Sequence, residues 1–159
     1  MTADEYSHRI EAQLNENNIY GAAKTFLQAR AELGDIEAAN VIRVLAYSDS
    51  AGLLTYALVT HLLRQQDDPL YHYTAGVLLG TSLCHLPRAY DAALYHAIEA
   101  ATKAPDVADY HWLIHDIASS PDPNQEVAKT AREEALLQLR RIASRDERTR
   151  WRLQRLGYA

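Results

Sequence analysis

The sequence predicts an all-α fold of about nine helices, arranged as stacked antiparallel helical hairpins in a solenoid-like array. Three observations carry that prediction. Apolar residues recur at three- and four-residue spacing along most of the chain, and the breaks in this pattern fall at helix-capping residues, prolines and glycines. No segment of useful length alternates apolar and polar side chains while being rich in β-branched residues, so no strand is predicted.

The elements follow in order. Thr2 with Glu5 forms a capping-box start for a first helix, on which Tyr6, Ile10 and Leu14 share a face, with an end expected near Asn17. A second helix over 18–33 aligns Ile19, Ala22, Ala23, Phe26, Leu27 and Arg30 and stops at Gly34. Asp35 is the expected cap of a third helix bearing Ile36, Ala39, Ile42, Leu45 and Ala46. Residues 48–50 supply a break and the next cap, so 18–47 read as a hairpin with a short turn.

Helices are then expected over 51–65 and from Leu70 to about His85, with Asp68 as cap and Pro69 at the first helical position; together they make another hairpin. The second of these arms, with Val77, Leu78, Leu79 and Leu83, is the expected most buried helix. Segments 89–103, 107–118, 124–142 and 146–156 complete the set, with Asp122 before Pro123 and a Ser144–Glu147 capping box as start signals.

At 159 residues, 48% hydrophobic and 23% charged, the chain has the balance of one ordinary globular domain spanning 1–159. A single cysteine, Cys84, excludes an internal disulfide framework or zinc ribbon and suits a reducing compartment; a buried, inert thiol is expected. No apolar run approaches the roughly eighteen residues that span a bilayer, and a cytoplasmic location is expected. Charge is uneven: residues 1–124 hold 7 basic and 16 acidic side chains, whereas 125–159 hold 9 basic and 5 acidic, so an acidic body precedes a basic helical segment over about 124–159.

A shift of 39 residues places Tyr56 on Tyr95, Asp67 on Asp106, Tyr71 on Tyr110 and His72 on His111, with Arg64 on Lys103 and Tyr73 on Trp112. Both copies read helix, acidic turn, then a helix opening Tyr-His-aromatic, the form of a hairpin repeat. The segment 89–105, with Tyr90, Ala93, Leu94, Tyr95, Ala97 and Pro105, resembles the second helix of a tetratricopeptide repeat and its closing proline, although the family's tryptophan-leucine-glycine opening is missing; the period lies between tetratricopeptide and HEAT values. A second resemblance spans about 68–120: Leu70-Tyr71-His72, His85 to Tyr90, Ala93 to His96, Pro105 and Tyr110. It is similar to small helical bacterial proteins associated with toxin systems, some counted as immunity proteins, which implies neutralisation of a toxin by occlusion and carries over no functional residue.

Six of the seven histidines lie between His61 and His115. His111 and His115 have the i, i+4 spacing of a two-histidine ligand pair, with His72, His85 or His96 as a third ligand from another helix, so a metal-dependent enzyme is one alternative. The other reading of these imidazoles is interface packing, since His72 and His111 occupy equivalent repeat positions. Cys84 and His85 are adjacent and point about 100° apart on a helix, poorly set for thiol activation. Gly76 and Gly80, four apart, permit close helix packing rather than a phosphate loop. The arginine-rich segment 140–155, interrupted by Ile142, Trp151, Leu153 and Leu156, either docks on the acidic body or acts as a nucleic-acid adaptor.

The leading expectation is a non-enzymatic protein-binding module without cofactor or bound metal, whose partner is a cationic protein such as a basic toxin domain. Exposed members of the set Tyr71, Tyr73, Tyr110 and Trp112 are its candidate anchors.

Overall fold

A computed structural model describes residues 1–46, 52–121 and 123–158. Among them are nine α-helices and no strand: α1 (Ala3–Asn15), α2 (Ile19–Leu33), α3 (Asp35–Ala46), α4 (Gly52–Gln65), α5 (Pro69–Gly80), α6 (Ala89–Lys103), α7 (Ala108–Ala118), α8 (Gln125–Ala143) and α9 (Glu147–Arg155). The expected break and cap at 48–50, the helix start at Ala51 and the signal at Asp122 lie outside the described residues.

Local chemistry accounts for most helix ends. Thr2 and Glu5 satisfy each other's backbone N–H groups in a complete capping box on α1. The Asn18 carboxamide accepts the Gly21 N–H at the start of α2, and Gly34 closes that helix at φ +84°, where a side chain would be strained. α3 begins one position earlier than expected, because the Ala38 N–H already bonds the Gly34 carbonyl; Asp35 is therefore its first helical residue and not its cap. Asp68 caps α5 by accepting the Leu70 N–H at 2.9 Å, and Asn124 caps α8.

Two expectations about helix ends are corrected. α5 stops at Gly80, five residues short of His85. Thr81 Oγ1 donates to the Val77 carbonyl, which would otherwise carry the helix on, and the Thr81 and Leu83 N–H groups both turn to the Leu78 carbonyl, which ends the ladder; Ser82 Oγ beyond it donates to the Ala46 carbonyl on α3 at 2.5 Å. Cys84 consequently falls in an exposed turn, not in a buried helix, and His85 beside it is exposed too. At α9 the cap is Asp146, which accepts the Thr149 N–H; Ser144 instead ends α8 and donates to the Arg141 carbonyl.

Each helix packs on its neighbours in sequence, and α1 with α3, α2 with α4, α3 with α5 and α5 with α7 also meet. Apolar side chains of α1–α5 form one cluster around Tyr6, Ile10, Phe26, Leu58, Tyr71 and Leu78; α5–α8 form a second, richer in alanine; Trp112, Leu139, Ala143 and Leu153 form a third. Tyr56 packs on both larger clusters and links them. α5 is buried at eight of its twelve positions, as its all-round apolar sequence predicts. α5 and α6 approach closely at Gly76, where an added Cβ would stand 3.2 Å from the Ala93 carbonyl oxygen and 3.0 Å from Leu113 Cδ2 of α7. With Ala93 and Ala97 fully buried opposite it, the glycine lets two backbones nearly touch.

Candidate functional site

The polar residues at the helix ends form three ties, and each explains a group of residues singled out by sequence. The first joins α2, α3 and α5. Arg30 Nε donates to Asp35 Oδ1 at 2.7 Å, and Nη1 donates to Asp68 Oδ2 at 2.9 Å and to the Tyr71 hydroxyl at 3.3 Å; the guanidinium also lies 5.3 Å from the Tyr71 ring centre. The hydrogen bond to Asp35 leads in holding the Arg30 guanidinium well above its ordinary value, against a smaller opposing effect of burial. Tyr71 itself is 1% exposed and meets Phe26 edge-on.

The second tie joins the turn before α5 to α6. His72 Nε2 lies 2.8 Å from Asp67 Oδ1, and His72 Nδ1 lies 2.9 Å from His96 Nδ1, so one imidazole donates and the other accepts. Lys103 Nζ donates to the other Asp67 oxygen at 2.7 Å. Hydrogen bonds from Lys103 and then His72 hold the Asp67 carboxyl below the usual range, while burial first and the neighbouring His72 second push His96 down to about 4.

The third tie docks the C-terminal helix. His115 lies between the Asp116 carboxylate at 3.1 Å and the Tyr158 hydroxyl at 3.2 Å. Arg152 donates to Asp116 at 3.0 Å with its guanidinium carbon 4.0 Å from the Trp112 ring centre. Burial raises the Asp116 carboxyl, but the hydrogen bond from His115 and the charge of Arg152 outweigh it and leave it lowered. Arg145 pairs with Asp106, Arg150 donates to the carbonyls of Ala143 and Ser144, and Arg140 donates to the Tyr158 carbonyl. Arg145 and Arg152 thus reach carboxylates of the acidic body, whereas Arg140 and Arg150 bond within the segment itself.

The three histidines considered as ligands are therefore engaged apart. His72 is in the second tie, His115 in the third, and His111 Nε2 donates to the Pro105 carbonyl at 2.8 Å, its ring pushed down by burial against that bond. Among the described residues, no group of three or more His, Cys, Asp or Glu side chains is placed to hold a metal ion. No helix among them is long and apolar enough to cross a membrane.

Of the four aromatic candidates, Tyr71, Tyr110 and Trp112 are buried, at 1%, 8% and 4% exposure. Each opens or fills a helix interface, because an amphipathic ring at the start of a helix covers the gap beside the turn. Only Tyr73 keeps a partly exposed ring. It stacks at 5.1 Å on Tyr110 and lines a small cleft with Asn40, Arg43 and Val77 between α3 and α5. Burial first, and then the Asp109 carboxylate, raise its phenol against the opposing charge of Arg43, which lines the same cleft. The most exposed large apolar side chains are Tyr20 and Ile36 at 78% and Leu53 at 65%; Ile36, expected on the inner face of its helix with Ala39 and Ile42, instead points to solvent, because α3 turns Ala38, Val41, Ile42 and Leu45 inward. Ile36 stands among Asp35 and Glu37, both exposed, on the first turn of α3.

Comparison with known proteins finds no matching family model, no matching curated relative and no matching solved structure. The functional reading rests on the site.

Proposed function

We propose that this protein is a non-enzymatic, solenoid-like binding module that grips a cationic protein partner on the face shared by α3, α5 and α7. The carrying observation is Tyr73: a partly exposed ring in a cleft lined by Asn40, Arg43 and Val77, with the Asp109 carboxylate acting on its phenol against the charge of Arg43 and with the exposed Ile36 also on α3. An exposed aromatic anchor on a chain whose body is acidic suits a partner that presents an apolar side chain next to Lys or Arg. The acidic surplus of residues 1–124 would speed encounter with such a partner. Occlusion of a basic toxin is the specific form that the resemblance to immunity proteins implies.

The ties favour this reading over the two alternatives. The histidines that would ligate a metal, and most of the arginines that would meet a nucleic acid, are already bonded within the chain. A photo-crosslinking residue placed at position 73 in the source cell identifies the partner directly, and binding is then measured at two salt concentrations. Loss of affinity on Tyr73→Ala and on raising salt supports the proposal; a partner that crosslinks only through α9, or binds without salt dependence, refutes it.

A further inference from the structure

α8 carries a solvent-facing stripe with an internal symmetry. Glu133, Glu134, Leu137 and Arg141 are all exposed, Leu137 at 55%. Glu134 and Arg141 are seven residues apart, so they share a face but stand about 10.5 Å apart along the axis, too far to pair with each other. Among the described contacts, neither glutamate meets a cation, and Arg141 reaches only Gln138 Oε1, at a long 3.5 Å. Beside this stripe a groove of about 370 Å³ opens between α6 and α8, floored by His111 and Ile114 of α7 and walled by Ile98, Thr102, Leu137 and Gln138.

Read along α8, the order is acid, apolar, base. A parallel neighbour with the same order would set like charge on like charge. An antiparallel copy sets each acid level with a base, which makes the stripe complementary to itself. We propose that this face is a homodimer interface in which α8 of a second copy lies antiparallel on α8, about a two-fold axis passing between Leu137 and Gln138. Glu134 of each copy then pairs with Arg141 of the other, and Leu137 of each enters the mouth of the other's groove. A helix of 19 residues is about 28 Å long, and the roughly 800 Å² per partner of a stable interface requires the groove walls on α6 and α8 to take part as well. The α3–α5 cleft shares no residue with this face, so the two surfaces do not compete for the same side chains.

Sedimentation equilibrium of the whole chain across the micromolar range tests the proposal, with circular dichroism to show that each variant keeps its helices. The expected result is a dimer that weakens with salt. Glu134→Arg alone and Arg141→Glu alone each raise Kd at least about tenfold, because each places like charges opposite one another, while the double reversal restores Kd to within about threefold of wild type. Leu137→Asp abolishes association, and Leu137→Ala weakens it as a milder check. A wild-type monomer throughout the range, a dimer indifferent to Leu137→Asp, or a double reversal no tighter than either single change overturns it.

Discussion

The guanidinium of Arg30 donates to Asp68 at 2.9 Å, across 38 residues of sequence, and ties the end of α2 to the cap of α5. Asp68 is 6% exposed and already accepts the Leu70 N–H, so it lies where an unpaired charge is poorly solvated. Arg30→Met keeps most of the side-chain volume and removes the cation. The expected loss of stability is about 2–3 kcal/mol, because the remaining carboxylate stays buried. Asp35→Asn should lose less than about 1 kcal/mol, since that partner is largely solvent-exposed. Urea unfolding of the two variants measures the difference.

The two glycines of α5 predict opposite signs for similar changes. At Gly76 an added methyl meets a backbone carbonyl at 3.2 Å, and backbone cannot swing aside as a side chain does; Gly76→Val should destabilise by about 2–3 kcal/mol. At Gly80 the nearest atom to the same methyl is Ile117 Cγ1 at 3.5 Å, an ordinary contact. Gly80→Ala should therefore stabilise by about 0.5 kcal/mol through helix propensity. Thermal melts that show both variants weakened would refute this account of the α5–α6 approach.

The helices were legible because their signals are local. Thr2 with Glu5, Asn18 with Gly34, and Asp68 with Pro69 each carry capping chemistry within a few residues. The end of α5 was not legible, since Thr81 sits in a helix as readily as it ends one, and the Ser82 bond to the Ala46 carbonyl, 36 residues away, exists only in the fold. The candidate anchors were half legible. Tyr71 and Tyr73 look alike in sequence, two places apart on one helix, but Tyr71 faces Phe26 and Arg30 while Tyr73 faces the cleft. Position around a helix decides between core and surface only once its neighbours are placed. The partners of the histidines were not legible for the same reason: His111 and His115 are one turn apart on α7, and the fold gives them different partners, the Pro105 carbonyl and the Tyr158 hydroxyl.

Stability should fall as pH drops from about 6.5 to about 4. His96 has an ordinary value of 6.5 when unfolded and is pushed down to about 4 in the fold, so in that window the unfolded chain takes a proton that the folded one refuses. His72, Tyr95, Glu99 and the Asp67–Lys103 pair surround it, and Glu99 opposes the shift. After discounting for partial solvent access, the expected loss is about 1–2 kcal/mol. The contribution is fully present above about pH 6.5. His96→Gln should flatten the slope, with His111 left as a smaller contributor of the same sign; urea unfolding at a series of pH values would refute the assignment if the slope is unchanged.

The aromatic set should divide cleanly between folding and binding. Tyr71→Ala empties a site 1% exposed and should lower stability by about 3–4 kcal/mol, whereas any folded fraction keeps its partner affinity. Tyr73→Ala should weaken partner binding by at least about 1 kcal/mol with a smaller loss of stability. Calorimetric binding on material shown to be folded separates the two, and an affinity loss confined to Tyr71→Ala would reverse the assignment.

The docking of α9 should be visible in tryptophan fluorescence, because the two tryptophans sit in contrasting places. Trp112 is 4% exposed beneath Arg152, and Trp151 is 58% exposed on α9 itself. α9 buries only Thr149 and Leu153, so its attachment depends heavily on polar contacts: Arg152 between Trp112 and Asp116, and the Tyr158 hydroxyl between His115 and Arg132. Removing the guanidinium strips one ring face and leaves Asp116 with His115 alone. Arg152→Ala in a Trp151→Phe background should expose Trp112, shifting its emission to the red and raising quenching by iodide or acrylamide, at a stability loss of about 1–2 kcal/mol. Added salt should act in the same direction on the parent protein, since ion pairs near the surface are screened. Leu153→Asp should produce the same spectral change by a different route, opposing the apolar contact with Leu139 and Ala143. Emission from Trp112 that is unmoved by all three would mean that its burial is held by α7 and α8 alone and that α9 is not what covers it.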